Sequence, residues 1–299
     1  MLRVRQPRAA ATLAAMLPML MPALSVTASA DPAAGTPAAA AAAAAMQGRK
    51  AAALAAVQQL TAQLSVQRLT ADGGSGWELT PQYAVLVRFG LWDELLALER
   101  PDARAPGLTA GYLYGRGVAL AARGRIPEAR TALAELERLG TAVTPQQRAG
   151  ANSLHDVIRV AAPVVAARIA ASEYRATDAV AALERAVAAE DALSANQPPD
   201  WFFPVRDLLG AELLLAGRAA DAERVYREDL ERHPGSGWAL HGLATALRAQ
   251  GRRQPAAAAE RAFAAAWQHA DVRLLSSAFW FGGPDTTACE CERTDLGAH

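Results

Sequence analysis

Gly90 and Gly124 lie 34 residues apart, and so do Gly217 and Gly251. At each one an apolar helical pattern stops and another starts within a few residues: FGLWDELLALE, RGRIPEARTALAEL, AGRAADAERVYREDL and QGRRQPAAAAERAF. A glycine there can take the left-handed backbone conformation that ends a helix, and Pro127 sits where the first turn of a following helix accepts proline. This period constrains the fold more than any other feature. One such helix-turn-helix unit cannot bury its apolar face alone, so neighbouring units must stack. Composition points the same way, since alanine supplies about a quarter of the 299 residues and aromatics only 6%. Alanine is the best helix former, and the β-branched residues that favour strands are scarce. With 22 glycines and 2 cysteines the chain is neither collagen-like nor a disulfide scaffold. It also lacks the repeated long apolar runs of a multispan membrane protein.

The residues flanking the glycines carry more than a period. In 203–236, Leu209, Gly210 and Leu213 precede Gly217, while Ala222, Tyr226, Leu230 and Pro234 follow it. Small residues at 210 and 222 let two helices approach, and Leu213 and Tyr226 fill the contact between them. The same slots hold Leu243, Ala244, Leu247 and Ala256 around Gly251, with Glu260 in place of the aromatic, and Gly117, Leu120, Ala129 and Leu133 around Gly124, with Thr141 in place of the closing proline. Around Gly90 the match is poorer, because Tyr83 and Leu95 occupy the small-residue slots. This pattern resembles the tetratricopeptide repeat (TPR). The resemblance implies an all-α fold of antiparallel helical hairpins stacked as a TPR-like α-solenoid, in about five units. Residues 195–279, with PPDW, VYREDL, GWAL and RAQG, are similar to the tail of a group of bacterial tetratricopeptide-like proteins, which are longer at the N-terminus; that similarity implies a fold and no catalytic activity.

Between Gly124 and Gly217 there is room for one further hairpin. Thr144-Pro145-Gln146-Gln147 reads as a capping-box start for a helix to about Ser172. A second helix is predicted from about Thr177 to Leu193, with Ala179 and Leu183 at the interhelical slots. Asp200 is expected to cap the next helix, with Pro204 in its first turn.

The N-terminus has the three-part layout of a secretory signal. Arg3, Arg5 and Arg8 precede an apolar stretch from Ala9 to Leu24, and Ala28-Ser29-Ala30 offers an A-x-A cleavage site. The expected organisation is a signal peptide at 1–30, an Ala/Pro-rich linker at 31–45, a TPR-like helical repeat domain at 46–279 with a first amphipathic helix from Met46 to Leu69, and a flexible C-terminal tail at 280–299. The expected location is exported, periplasmic or extracellular, with no membrane association once the signal is cleaved. The precursor balances 30 basic against 30 acidic residues. Without the three leader arginines the mature chain is mildly acidic, which argues against nucleic acid as a partner.

TPR proteins typically hold extended peptides on the wall lined by their first helices, so the resemblance implies a protein or peptide partner in a concave groove. In the last clear repeat the row expected to face outward is Trp238, His241, Thr245 and Arg248, three or four residues apart. Arg206 and Asp207 in the preceding repeat, and Tyr114 in the Gly124 repeat, are added to the candidate strip. Against that stands core packing, which commonly accounts for a tryptophan at helical spacing. G-x-S-x-G, H-E-x-x-H, a phosphate-binding glycine loop and a dinucleotide fingerprint are all missing from the sequence, so no enzyme and no cofactor is expected. The alternative is a metal- or redox-responsive protein using Cys289, Cys291 and His299; a lone C-x-C is a weak metal signal, since structural zinc sites usually pair two such elements.

Overall fold

The computed structural model describes residues 35–66, 70, 74–196 and 198–279. Among them are twelve α-helices: α1 (Pro37–Met46), α2 (Lys50–Gln63), α3 (Pro81–Arg88), α4 (Trp92–Ala97), α5 (Pro106–Ala122), α6 (Ile126–Ala142), α7 (Leu154–Ser172), α8 (Ala176–Asp191), α9 (Val205–Leu215), α10 (Ala219–Arg232), α11 (Gly237–Ala249) and α12 (Arg253–Ala266). A 3-10 turn at Trp77–Leu79 precedes α3, and a two-residue antiparallel pair, β1 (Arg148–Ala149) with β2 (Asn152–Ser153), precedes α7. The fold class is all-α, and no described helix is long and apolar enough to cross a membrane.

The helices pair as six antiparallel hairpins joined by one repeated turn. At Gly124 the backbone has φ +71, the Gly124 N–H donates to the Ala121 carbonyl at 3.0 Å, and the Arg125 N–H donates to the Leu120 carbonyl at 2.8 Å. This double bond pattern closes the last helical turn and satisfies carbonyls that the helix itself leaves unpaired. It recurs at Gly90, Gly217 and Gly251, as the 34-residue spacing predicts. It recurs also at Gly48 and at Tyr174, which the spacing does not reveal. In five of the six turns an arginine follows: Arg49, Arg125, Arg175, Arg218 and Arg252. Three of these reach a carboxylate three residues on, Arg125 to Glu128, Arg175 to Asp178 and Arg218 to Asp221, at the start of the second helix.

The helix expected from Met46 to Leu69 is shorter: α2 runs from Lys50 to Gln63, where Leu64 turns extended, and Met46 closes α1. The alanine run expected to be a linker is α1. Thr36 caps it by accepting from Ala39 N–H at 3.2 Å, Pro37 opens its first turn, and Ala41, Ala44 and Ala45 are buried against α2 and α3. Alanine carries no large apolar group, yet its small side chain lets helices approach closely, which composition alone does not reveal.

The region between Gly124 and Gly217 also differs in detail. Thr144 and Gln147 form half of the expected capping box, with Thr144 N–H donating to Gln147 Oε1 at 2.9 Å, but no helix follows. The chain instead turns through Gly150 (φ +65) into the β1–β2 pair, and α7 starts at Leu154 behind the cap residue Ser153, whose Oγ accepts from Asp156 N–H at 3.1 Å. Ala179 and Leu183 are fully buried as expected. Asp200 does not cap α9: its carboxylate accepts from the Asn152 backbone N–H at 3.0 Å and from Asn152 Nδ2 at 2.7 Å. Pro204 stands at the cap position rather than in the first turn, and the Val205 N–H is satisfied by the Glu190 carboxylate at 3.1 Å.

First helices of neighbouring hairpins pack side by side, α1 on α3, α3 on α5, α5 on α7 and α9 on α11. The ends of the array also meet. Asp271 accepts from the N–H groups of Lys50 and Ala51 at 2.6 and 2.9 Å, at the start of α2. Trp267 lies against the turn glycine of the first hairpin, where a Cβ on Gly48 would fall 2.2 Å from its ring. A small second core at this junction gathers Ala41, Ala45, Ala53, Phe89, Trp238 and Leu274.

Candidate functional site

The strip expected on the inner wall is largely filled by the protein itself. Trp238 is 0% exposed. Its indole N–H donates to the Ala45 carbonyl at 3.1 Å, and its ring meets Trp267 and Phe279 edge-on at 5.3 and 5.8 Å. It holds the α1 hairpin against α11 and offers no surface to a partner. Arg88 lies over the same ring, 3.8 Å from its centroid, and 5.0 Å from that of Phe203. The pairing suits a guanidinium stripped of water, because the ring faces carry negative charge density.

Asp207, at the foot of α9, is also 0% exposed and pairs with Arg88 at 2.8 Å. Arg206 is buried as well and forks onto Asp191 at 2.8 and 2.7 Å, so its charge is committed within the chain. Tyr114 is buried against Trp201, ring centroids 5.1 Å apart. These four members of the expected strip are therefore interior. His241 is half-buried with its ring 5.2 Å from Phe263, and burial lowers its pKa. Thr245 donates to the His241 carbonyl at 3.0 Å within its own helix. Arg248 is exposed and already paired with Glu260 at 2.7 Å. Cys289, Cys291 and His299 lie outside the described residues, as does the segment 1–30 expected to be a signal peptide.

The interior cluster is electrostatically unusual. Arg88, Asp207 and Asp229 are buried together in it, with Glu190 half-buried beside them. Burial pushes Asp207 up to about 7 even with Arg88 beside it, and pushes Glu190 up to about 8. Arg88 is lowered by the same loss of solvation, with Asp207 opposing. His233 is raised by its hydrogen bond to Asp229 at 2.9 Å. An adjoining cavity of about 30 Å³, walled by Trp92, Tyr114, Trp201 and Phe203, is sized for one or two waters, which rules it out as a peptide pocket.

Open space lies elsewhere. A groove of about 520 Å³ runs across α7 between α6 and α8. Its floor and sides are small residues, Ala162 and Ala166 on α7 and Ala188 and Ala189 on α8, with Pro163 among them. Arg159 and Arg185 stand on it, and Glu137 is the carboxylate that lines it. Pro163 sits inside α7 and has no N–H, so the Arg159 carbonyl four residues before it loses its usual helical donor. The periodicity of the glycines gave no hint of this groove. The signal that could have found it is a proline in the middle of an otherwise helical alanine-rich run, AAPVVAAR.

No protein-family model, curated protein or solved structure matches the chain.

Proposed function

We propose that the chain is a TPR-like helical-hairpin scaffold that, once exported, holds a segment of a partner protein. The observation that carries this reading is the sixfold recurrence of one glycine-type turn between antiparallel helices, with first helices packed side by side at four of the five junctions between hairpins. Arrays built this way expose long helix faces that suit extended partners. The interior is packed with the chain's own aromatic and charged groups, so binding falls to the outer grooves between hairpins. The export signal in the sequence adds the compartment. Affinity purification of the processed chain from periplasmic and secreted fractions, with mass spectrometry of what accompanies it, tests the reading. A protein recovered in constant ratio, and lost when grooves between hairpins carry charge reversals, supports a scaffold. Recovery of the chain alone from both fractions under gentle conditions overturns it.

A further inference from the structure

We infer that the inner wall of first helices is a peptide site held by this chain's own segment 272–279, and that the same sequence presented from outside exchanges for it. This goes beyond the scaffold reading, which places a partner in the outer grooves. The segment follows α12 and has no helix or strand, so its release unwinds none of the described helices. It meets the wall residue by residue. The Leu275 backbone hydrogen-bonds His241 on α11. Ser277 Oγ donates to the Asp207 carbonyl on α9 at 2.8 Å and accepts from the Tyr226 hydroxyl at 2.6 Å. The Phe279 ring lies edge-on to Trp238, and Ala278 and Phe279 line the same aromatic cavity as Tyr114 on α5. Tyr114, Asp207, Trp238 and His241 are members of the strip read from the sequence, and all four thus converge on this one segment.

The wall is shaped for its occupant. Tyr226 belongs to the second helix α10, yet its ring passes between α9 and α11 where Gly210 and Gly242 have no side chain. A Cβ built on either glycine would fall 2.3 or 2.1 Å from that ring. The passage delivers the hydroxyl that Ser277 accepts from, and a buried hydroxyl left without a partner is costly. The wall therefore asks for a hydroxyl at this point of whatever it holds. Along the segment Leu274, Ser277 and Ala278 are buried, while Arg273 and Leu275 are exposed, Leu275 by 69%. What is read is a leucine, a hydroxyl three residues on, a small residue and an aromatic. The upstream end is tethered, with Asp271 on the start of α2 and Trp267 Nε1 donating to the Val272 carbonyl at 2.8 Å. Such a tether gives the resident copy a high local concentration, so an outside copy binds only in proportion to the molecules whose wall is empty.

The test uses the full processed chain and a fluorescein-labelled octapeptide of the segment, VRLLSSAF as its amide, read by fluorescence anisotropy. The scrambled FSRALVSL and the hydroxyl-deleted VRLLSAAF serve as comparisons. Ser277→Ala with Phe279→Ala weakens the resident segment and leaves the wall intact, so this variant should bind VRLLSSAF about tenfold or more tightly than the parent does. VRLLSAAF should bind the same variant about fivefold more weakly, for want of the hydroxyl. Circular dichroism and a melt show that the variant is folded, and if it is not, Ser277→Ala alone carries the comparison. Dimers of the parent that VRLLSSAF dissociates also support the site, since the segment then comes from a second copy. Absence of binding to the weakened variant, equal binding of the scrambled peptide, or equal affinity of parent and variant for VRLLSSAF overturns the proposal, and the segment is then a fixed part of the core. A partner that co-purifies through the outer grooves is captured in either case, so the scaffold reading stands or falls separately.

Discussion

At the scale of single residues, the molecule spends its few large polar and aromatic groups on closing itself. Trp238 fills the junction between α11 and the first hairpin and satisfies its indole N–H there. Trp238→Ala should therefore cost about 3–5 kcal/mol in urea unfolding, as truncation of a buried tryptophan does. A binding residue on an open strip would leave stability unchanged. Asp207→Ala leaves the Arg88 guanidinium without its buried partner and should cost a similar 3–5 kcal/mol, whereas Arg88→Met with Asp207→Leu should recover most of that loss. A double variant as unstable as the single one would show that the pair itself holds the junction. Tyr174 has φ +58 and is almost fully exposed, so it pays for a left-handed backbone without packing in return. Tyr174→Gly should gain about 1 kcal/mol, raising the melting temperature by roughly 2–4 °C.

At the scale of elements, the hairpins were legible where leucine and glycine mark them and hidden where they do not. Gly90, Gly124, Gly217 and Gly251 announce their turns because apolar periodicity stops on each. Gly48 follows ten residues in which nothing larger than alanine or methionine packs, so α1 reads as low complexity although its alanines are buried. Tyr174 breaks the glycine rule outright; the arginine that follows five of the six turns, Arg175 here and Arg49 after Gly48, is the clue that survives in both. The Thr144 box misleads because a capping signature describes a local hydrogen bond and not the helix beyond it. The groove rests on a comparable local exception, Pro163. Pro163→Ala restores a donor to α7 and should stabilise the fold by up to about 3 kcal/mol. A variant no more stable than the parent in urea would mean that α7 has already absorbed the missing bond.

At the scale of the whole molecule, four residues of the expected strip, Trp238, Arg206, Asp207 and Tyr114, are interior because their burial is decided by contacts far apart in the chain. Arg88 meets Asp207 across 119 residues, and Trp238 meets Ala45 across 193. No local pattern encodes such encounters, whereas burial of Tyr226 between Gly210 and Gly242 was partly readable from small-residue slots. The same closure sets a pH response. Asp207, Glu190 and Glu212 hold their protons to about 7, 8 and 7 when folded, against ordinary values of 3.8 and 4.5, because burial penalises their charge. Between about pH 4 and 8 the folded chain thus binds more protons than the unfolded one, and stability falls as pH rises. The raised His233 acts with the same sign above its ordinary 6.5. Asp191, lowered chiefly by its hydrogen bonds from Arg206, acts oppositely but only below its ordinary 3.8, and His241, lowered by burial, opposes the trend below its ordinary 6.5. The urea midpoint should accordingly be highest near pH 4, decline to about pH 8 and level off above it. A midpoint that rises over that range would mean that these carboxyls are ionised and well solvated.

The bond from Asp271 to the first turn of α2 spans 221 residues. A chain made from its N-terminus at 5–20 residues per second emits the first hairpin roughly 10–45 s before the aspartate that caps it and the tryptophans that cover it. Through that interval its alanine faces have nothing to lie on, and a helix pair of this length is marginal alone in water. The earliest part of the array to be made is thus the last to be secured, and whatever shepherds the nascent chain meets it with that hairpin still open.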